Sequence, residues 1–319
     1  MPVMDDFPGV RLVPVGGQGP EDVVVDGAGS AYTGLADGRV VRVDADGRVD
    51  TVARVPGRPL GLELLGAREL LVCASDAGLL AVSLEGGGVR VLADRFAGRP
   101  LGAVNNAAVA DDGTVWFTDS STRFSVPRWR EDLVQRTRSG RLFRRDPDGA
   151  LTQLLGDLEF ANGVALAADG SFVAVAETGA RRVRRVWLNG GRAGRSDVLA
   201  DDLWGYPDNL ALGSDGLIWV ALPAPRTAVL EAIQRAPTWA RSLARRVPDR
   251  WQPRPDPAVG VVALDRIGRI VRQLTGTMAG LEMLTGVREV RGTLWLGTLT
   301  GDSLATLPLP TGHSVGDVP

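Results

Sequence analysis

The chain lacks several side chains on which common catalytic sites depend. Its 319 residues contain one cysteine, Cys73, one histidine, His313, and no lysine, so every basic residue is an arginine. A lone histidine in the short C-terminal tail 310–319 makes a Ser-His-Asp triad or a histidine-rich zinc site hard to build. Cys73 cannot form an internal disulfide, and its apolar surroundings (LLVCAS) predict a buried structural thiol. We therefore expect any catalytic base to be a carboxylate, or a water activated by a metal ion.

Long apolar runs and a strong net charge are also missing. No segment approaches the roughly 18 apolar residues that a membrane span needs, and the N-terminus MPVMDDFPGV has acids where a signal peptide has basic residues. The net charge of −2 provides no basic field for nucleic acid. These absences predict a soluble cytoplasmic protein that is not expected to associate with nucleic acid or membranes. They leave its oligomeric state open.

What the chain has instead is a repeated β-rich theme. An apolar run enters a turn that contains Asp-Gly or a related pair, and a second apolar run leaves it; the clearest copies are 23–34, 107–121, 164–178, 210–222 and 287–299. Such turns predict hairpins, because Gly and Asp adopt positive φ at low cost. Hairpins that recur at intervals of roughly 40–60 residues indicate one supersecondary unit used repeatedly. We predict an all-β fold, a six-bladed β-propeller.

The whole chain, 1–319, forms a single domain of six blade-sized units in this interpretation. The units are 19–55, 58–96, 103–158, 160–203, 205–278 and 281–309. The sixth unit shows only three obvious strands, so the early segment VRLVPV (10–15) is free to supply the fourth. Such pairing would close the ring and remove an exposed sheet edge.

Two of the predicted blades carry insertions. Residues 125–140 in the third are too polar for a core strand and predict a loop with a helical turn. Residues 224–257 in the fifth have helical composition at 228–235 and 238–247, with Pro237 between the two helices. The spacing of Trp239 and the apolar residues at 243, 247 and 251 predicts a face that packs on the propeller rim. A substrate lid and a basic amphipathic segment at a membrane surface are the alternatives.

Polar residues stand just ahead of four of the hairpin repeats. They are Glu21-Asp22, Asn105-Asn106, Asn162 and Asp208-Asn209. Because the innermost strand of each propeller blade lines the central channel, these side chains are candidates to meet around one axis. Acids and amides together form an oxygen cage that suits Ca²⁺ better than Mg²⁺. The alternative is that these residues only form turns at strand starts.

Four aromatic residues near these motifs are candidates to line a substrate site. Trp204, Tyr206 and Phe160 either line the channel mouth or pack between blades. Trp239 would contribute from the insertion if that segment is a lid.

The motifs and their order resemble the strictosidine-synthase-like proteins, which are similar to the senescence-marker/gluconolactonase and paraoxonase families. The resemblance runs from about residue 19 to about residue 309 and rests on segments such as GPEDVVVDGAGSAYTG, NNAAVADDGTVWFTDSST, FANGVALAADGSFVAVAET and LWGYPDNLALGSDGLIWVAL. It implies a six-bladed propeller. It is less specific for the reaction, because the superfamily contains metal-dependent lactonases and esterases beside a metal-independent condensing enzyme.

The resemblance also implies a ligand set. The metal ligands of the lactonase relatives fall on Glu21, Asn162 and Asp208, and their Asn-Asp pair falls on Asn105-Asn106. Asn106 replaces the aspartate, which removes one negative charge and keeps an oxygen donor.

Two positions depart from the relatives. Ala103 stands where sugar-lactone enzymes place an arginine, which argues against a sugar lactone as substrate. The glutamate of the condensing synthase falls near Thr285, where this chain has no carboxylate, while Glu289 resembles an ordinary family acid. An alkaloid condensation is therefore disfavoured.

The leading hypothesis is a Ca²⁺-dependent lactonase or arylesterase acting on a small hydrophobic ester or lactone. Glu21, Asn106, Asn162 and Asp208 would hold the metal, with Asp208 as general base and Asn105 as a second catalytic candidate. A metal-free condensing or isomerising enzyme of secondary metabolism is the first alternative. A non-catalytic propeller that binds a partner through its rim and the insertion 224–257 is the second.

Overall fold

The repeated hairpins form six four-stranded antiparallel sheets, the blades of a propeller. The computed structural model describes residues 7–245, 247 and 256–310. The first strand, β1 (Arg11–Pro14), belongs to the last blade. Blade 1 contains β2 (Val23–Val25), β3 (Ala31–Gly34), β4 (Arg39–Val43) and β5 (Val49–Arg54). Blade 2 contains β6 (Pro59–Leu65), β7 (Glu69–Ala74), β8 (Gly78–Ser83) and β9 (Val89–Ala93), followed by a small hairpin of β10 (Arg95–Phe96) and β11 (Arg99–Pro100).

The remaining blades follow the same plan. Blade 3 contains β12 (Val104–Val109), β13 (Val115–Asp119), β14 (Gly140–Arg145) and β15 (Leu151–Leu158). Blade 4 contains β16 (Ala161–Leu166), β17 (Phe172–Glu177), β18 (Arg182–Trp187) and β19 (Ser196–Ala200). Blade 5 contains β20 (Leu210–Leu212), β21 (Ile218–Leu222), β22 (Ala258–Leu264) and β23 (Ile270–Thr277). Blade 6 contains β24 (Leu284–Val290), β25 (Thr293–Thr298) and β26 (Ser303–Pro308).

The ring closes through the N-terminal strand, as the sequence predicted. β1 pairs antiparallel with β26, from Arg11 opposite Thr306 to Pro14 opposite Ser303. The last blade is therefore built from both ends of the described chain, and its outer strand is supplied by β1.

The predicted Asp-Gly turns are confirmed, and one of them shows why the sequence forms them. Asp26 Oδ1 accepts hydrogen bonds from the backbone N–H groups of Ala28 and Ser30, both at 2.9 Å. Gly29 in the same turn has φ 87°, which a residue with a Cβ adopts only at a cost. Asp44 and Asp265 make the same pair of bonds in their own hairpins.

The apolar core lies between neighbouring blades rather than in the channel. Between blades 2 and 3, Leu71 and Cys73 pack with Phe117 and Phe143, whose rings stack at 5.2 Å. Cys73 is fully buried, and burial raises the pKa of its thiol, so the prediction of a structural cysteine is confirmed.

Helices occur in the two predicted insertions. A 3-10 turn (Val126–Arg128) leads into α1 (Trp129–Gln135) in blade 3, and α2 (Ala228–Arg235) and α3 (Thr238–Ala244) lie in blade 5. Two further 3-10 turns lie at Thr178–Ala180 and Gly190–Arg192. Pro237 separates α2 from α3 as predicted, and α3 ends at Ala244, earlier than the predicted Val247. No helix in the described ranges is long and apolar enough to cross a membrane.

The predicted packing of the α3 apolar face on the rim is wrong. Trp239 is 69% exposed and Leu243 is 57% exposed. The helix is held by its other side, where Arg241 donates a hydrogen bond to the Gln135 carbonyl of α1 at 2.8 Å. Trp251, the last member of the predicted face, lies outside the described residues.

Candidate functional site

One residue from the start of each innermost strand, or just ahead of it, lines a single cavity on the propeller axis. The cavity has a volume of about 430 Å³. The six residues, called the ring below, are Glu21, Leu60, Asn105, Asn162, Asp208 and Thr285. The sequence predicted four of these positions, and the structure adds Leu60 and Thr285.

Local backbone irregularities turn these side chains toward the axis. The pairing of the first two strands of the blade shifts register by a β-bulge between Val104 and Ala107 in blade 3 and between Ala161 and Val164 in blade 4. Equivalent shifts occur at the start of β6 and β24. A bulge re-aims a side chain that strict alternation would direct elsewhere. The bulges therefore account for the ring positions in four of the six blades.

Glycines allow adjacent blades to approach each other directly behind the ring. A Cβ added to Gly163 would lie 2.1 Å from the Leu210 nitrogen, and one added to Gly286 would lie 2.7 Å from the Glu21 carbonyl oxygen. Both distances are far inside van der Waals contact. Each of these glycines follows a ring residue, so close packing of neighbouring backbones fixes the ring.

Hydroxyl groups set the direction in which the ring amides point. Thr178 Oγ1 donates to the Pro207 carbonyl at 2.7 Å, so it must accept from Asn162 Nδ2 at 3.2 Å. Asn105 Nδ2 likewise donates to Ser120 Oγ at 3.0 Å. With both amide nitrogens bound to the protein, the Oδ1 atoms of Asn105 and Asn162 are left for the site.

Several of these oxygens have no hydrogen-bond partner among the described residues. The buried unpaired oxygens are Asn105 Oδ1, Asn162 Oδ1 and Asp208 Oδ1 in the ring, and Asn209 Oδ1 on the residue next to the ring, which does not line the cavity. Buried polar atoms are rarely left unpaired in proteins, so a group of four at one place indicates a missing partner. That partner must be a cation or a hydrogen-bond donor, since all four atoms are hydrogen-bond acceptors.

The two ring carboxylates add negative charge that the protein does not neutralise. Burial, together with the nearby Asp22 carboxylate, raises the pKa of Asp208 to about 7. Burial and the neighbouring Asp208 raise the pKa of Glu21 well above its ordinary value, an effect that Arg58 only partly offsets. Both shifts have the sign expected where a cation is needed to keep two acids ionised.

The donor set fits Ca²⁺. The described residues contain no cluster of three His, Cys, Asp or Glu side chains, so the site is two carboxylates supplemented by amides. Oxygen-only ligands of mixed charge and flexible spacing are what Ca²⁺ accepts. Glu21, Asn105, Asn162 and Asp208 would hold the ion, with Asn209 Oδ1 as a further unpaired oxygen.

The proposed ligand Asn106 does not line the cavity, and that expectation is corrected here. Its Oδ1 accepts a hydrogen bond from the Val164 N–H at 2.8 Å, and its Nδ2 donates to Asp22 Oδ2 at 3.2 Å. Asp22 also accepts from the backbone of Val23 and of Leu62. Asn106 and Asp22 therefore form a buried link between inner strands, a role that could not be distinguished from metal binding in the sequence alone.

Two of the four aromatic candidates line the cavity. Phe160 and Tyr206 stand two residues before ring positions, as does Met283, and all three contribute to the wall. Phe160 has φ 60° and Met283 has φ 56°, an unusual backbone conformation for large side chains. Their carbonyls accept hydrogen bonds from Thr178 and Leu299, which holds this backbone in place.

The other two aromatic candidates lie elsewhere. Trp204 packs partly buried against the core between blades 4 and 5, with its ring edge against Gly260. Trp239 is on the exposed side of α3 and is not part of the cavity wall. Trp204 lies four residues before the ring residue Asp208. Between them, Gly205 pairs with Pro225 outside the blade strands, so Trp204 precedes the part of the chain that enters the channel.

Helices from both insertions cover the cavity. Trp129, Leu133 and Val134 of α1 line it together with Leu230 and Ile233 of α2. The two insertions are joined where Gln234 Nε2 donates to the Leu133 carbonyl at 3.0 Å. The segments 126–138 and 226–245 are called the roof below. Its apolar inner surface encloses the space above an oxygen-rich floor.

Hydrogen bonds and an ion pair fix the inner strands beyond the ring. Arg288 Nε donates to the Val23 carbonyl at 3.3 Å, and its guanidinium pairs with Glu63. Arg288 lies three positions after the ring residue Thr285, and Glu63 lies three positions after the ring residue Leu60, on the side away from the roof. No inner-strand residue beyond the ring lines the cavity in the described part of the chain, so the cavity ends at the ring.

Taken together, these features define a six-bladed propeller with a ring of carboxylate and amide oxygens at the floor of an apolar cavity. The SMP-30/Gluconolactonase/LRE-like region model matches residues 31–234, and the strictosidine synthase-like N-terminal model matches residues 6–43. The chain belongs to the SMP-30/gluconolactonase family, in its strictosidine synthase-like group.

Named relatives agree with this assignment. The strictosidine synthase-like protein 13 of Arabidopsis thaliana is 32% identical over 322 residues, which cover 92% of this chain and 78% of the relative. The adipocyte plasma membrane-associated protein of Danio rerio is 34% identical over 235 residues, covering 66% of this chain and 56% of the relative.

Solved structures support the fold. A gluconolactonase from Xanthomonas campestris superposes with a TM-score of 0.68 at 19% identity, covering 96% of this chain and 91% of that one. A calcium-binding regucalcin from Agrobacterium tumefaciens superposes with a TM-score of 0.68 at 17% identity, covering 97% and 96%.

Proposed function

We propose that the protein is a Ca²⁺-dependent hydrolase that cleaves a small hydrophobic ester or lactone at the ring. The observation that carries this proposal is the set of unpaired buried oxygens beside two carboxylates at the floor of an apolar cavity. The names of the gluconolactonase and regucalcin structures are consistent with it. When bound, the ion would supply a Lewis acid that polarises a carbonyl oxygen.

The chain's own residues would orient the substrate and move the proton. Leu60, Phe160 and Met283 offer apolar contacts near the floor, so the substrate would bind with its carbonyl toward the ring. Asp208 is the candidate general base as well as a ligand, so only a carboxylate oxygen that does not bind the ion could accept the proton. Its pKa of about 7 belongs to the ion-free protein, because a bound cation would lower it. Asn105 would act through Oδ1, since its nitrogen already donates to Ser120.

The walls bear on the substrate class. Ala103 is fully buried and places no charged side chain in the channel, and the cavity walls are mainly apolar. A polyhydroxylated sugar lactone would leave its hydroxyls without partners there, which costs free energy for each group. An aryl or alkyl ester, or a lactone with an apolar substituent, suits these walls.

Hydrolysis of a panel of aryl esters and alkyl lactones, in millimolar Ca²⁺ and in chelator, tests the proposal. Asp208→Asn keeps the size of the side chain and removes the charge, and we expect it to abolish turnover. Asp94→Asn, at an exposed position away from the channel, is the matched control and should keep wild-type rates. Turnover that persists in chelator would favour the metal-free alternative, and no turnover with any substrate would favour a binding role.

A further inference from the structure

The outer surface of the roof carries an unusual share of exposed apolar side chains. Among the described residues, ten large apolar side chains are exposed, and four of them lie on the blade 5 insertion. They are Val229 (54%) on α2, Trp239 (69%) and Leu243 (57%) on α3, and Val247 (37%), which follows the end of α3. Single exposed apolar residues are ordinary on protein surfaces, whereas several within one insertion are typical of a contact surface.

This group is continuous with the cavity. Val229 and Val247 are exposed at the surface and also contribute to the cavity wall. A ligand at the surface therefore reaches the cavity along apolar side chains. The exposed apolar side chains are therefore connected to the cavity and are not simply a helix face that fails to pack on the core.

The roof is also basic on a protein that is acidic overall. Its two segments contain eight arginines and three acids, while the whole chain has a net charge of −2. Carboxylates outside the roof offset part of this charge, because Glu159 pairs with Arg136 and Arg138, and Asp202 pairs with Arg226. With these two included, eight arginines stand against five acids, so net positive charge remains on this side of the molecule.

One exposed cation stands at the cavity itself. Arg130 lines the cavity mouth, with its guanidinium 5.1 Å from the Trp129 ring centroid. No carboxylate in the described residues forms an ion pair with it. An arginine over a tryptophan beside exposed apolar residues combines the two attractions that hold an interfacial helix on an anionic bilayer.

We propose that the roof docks on the surface of an anionic lipid membrane. Trp239 and Leu243 enter the interface between headgroups and acyl chains, and the roof arginines contact the lipid phosphates. The arginines favour an anionic membrane over a neutral one. Without them, the exposed apolar side chains would bind both kinds of surface equally well. Docking places the cavity mouth at the lipid, where apolar molecules are concentrated.

Vesicle co-sedimentation tests the proposal without any reference to catalysis. Wild-type protein should sediment with phosphatidylcholine vesicles that contain about a third phosphatidylserine, bind pure phosphatidylcholine at least tenfold more weakly, and lose affinity as salt screens the charges. The double variant Trp239→Ser/Leu243→Ser should lower the partition coefficient at least tenfold. Arg130→Glu should lower it severalfold.

The matched control is Val91→Ser/Ile267→Ser, which removes two apolar side chains that are 56% and 53% exposed on other parts of the propeller. It should bind vesicles like the wild type, and all variants should keep the wild-type melting temperature. Failure of the wild type to bind anionic vesicles, or equal binding by the roof variant, would overturn the proposal. So would a dimer in sedimentation velocity that needs Trp239 while vesicle binding is absent, because the surface would then be occupied by a second copy of the chain.

Discussion

Asn209 of blade 5 donates a hydrogen bond from Nδ2 to Glu21 Oε2 of blade 1 at 3.2 Å, although blade 6 lies between these two blades in the ring. Blade 6 takes part in the same link. The Asn209 N–H donates to the Thr285 carbonyl at 3.2 Å, and Thr285 Oγ1 donates to the Glu21 carbonyl at 2.8 Å. Glu21 is thus held in a network that spans three blades, and Asp208 directly precedes one member of that network, Asn209.

Calcium should raise the melting temperature by a few degrees, and chelator should lower it. An ion that binds only the folded ring shifts unfolding by mass action, by about 2.7 kcal/mol at a hundredfold excess over Kd. Differential scanning fluorimetry measures the shift, with Glu21→Gln as the variant that should lose it. Identical melts in chelator and in millimolar Ca²⁺ would count against the metal site.

In chelator, the wild type should lose stability relative to Asp208→Asn as pH rises from about 4 to 7. The folded-state pKa of Asp208 is raised to about 7, so over this window the folded protein retains a proton that the unfolded chain releases. The raised pKa of Glu21 acts in the same direction. The difference in melting temperature between the two proteins, followed against pH, cancels groups common to both. A flat difference would show that Asp208 titrates normally.

Asn105→Ala and Asn106→Ala should differ, although the residues are adjacent. Asn105→Ala removes an unpaired oxygen and should weaken the response to Ca²⁺ with little change in stability. Asn106→Ala leaves the Val164 N–H without a partner and removes one of the two donors to Asp22 Oδ2, so it should cost about 1–3 kcal/mol. Urea denaturation in chelator measures the stability, and a reversed order of the two costs would contradict the assignment of roles.

Thr178→Val should weaken Ca²⁺ binding about tenfold, and Thr178→Ser should restore it. The hydroxyl holds Asn162 Nδ2 away from the site and ties the Pro207 carbonyl next to Asp208. Isothermal titration with Ca²⁺ measures the affinity. A serine variant as weak as the valine variant would indicate that the lost methyl packing, rather than the hydroxyl, matters.

Leu230→Ser/Ile233→Ser should reduce kcat/KM roughly tenfold for long-chain esters and have little effect on acetates. Both side chains line the upper part of the cavity, where only a large apolar substrate reaches them. Trp239→Ser, outside the cavity, is the control for soluble substrates. Equal losses for long and short substrates would mean that α2 acts as a structural brace.

The sequence predicted the number of blades, their approximate limits and the closing strand. These features depend on local turn chemistry and on the periodicity of apolar residues, which are readable in one chain. Four ring positions could also be predicted from the sequence, because each lies just ahead of a hairpin repeat.

The sequence did not distinguish Asn105 from Asn106. Successive residues at a bulge do not obey the alternation of a regular strand, so which of them faces the channel depends on the neighbouring blade. Asp22, 84 residues away, accepts the Asn106 amide and decides the matter. Leu60 was missed as a ring member because it belongs to no polar motif and is recognised only by its place in the ring. Thr285 was located only through the resemblance, as the position of the synthase glutamate, and no polar motif of this chain marks it as a ring member.

The orientation of α3 was wrong for a related reason. Spacing of Trp239 and Leu243 at i and i+4 identifies one side of a helix, but it does not say which side meets the protein. Contact with α1, about a hundred residues earlier in the chain, fixes the helix through Arg241 and Gln135. Apolar periodicity alone assumes that the apolar side is buried, and here that assumption failed.

The cavity has apolar walls above a polar ring, and this affects how products leave. Release is then hardest for the most apolar fragment, which leaves the lining of Leu60, Phe160 and Ile233 for water. If such a fragment is a reaction product, it competes with incoming substrate, and turnover slows as it accumulates unless the lipid surface outside the mouth carries it away.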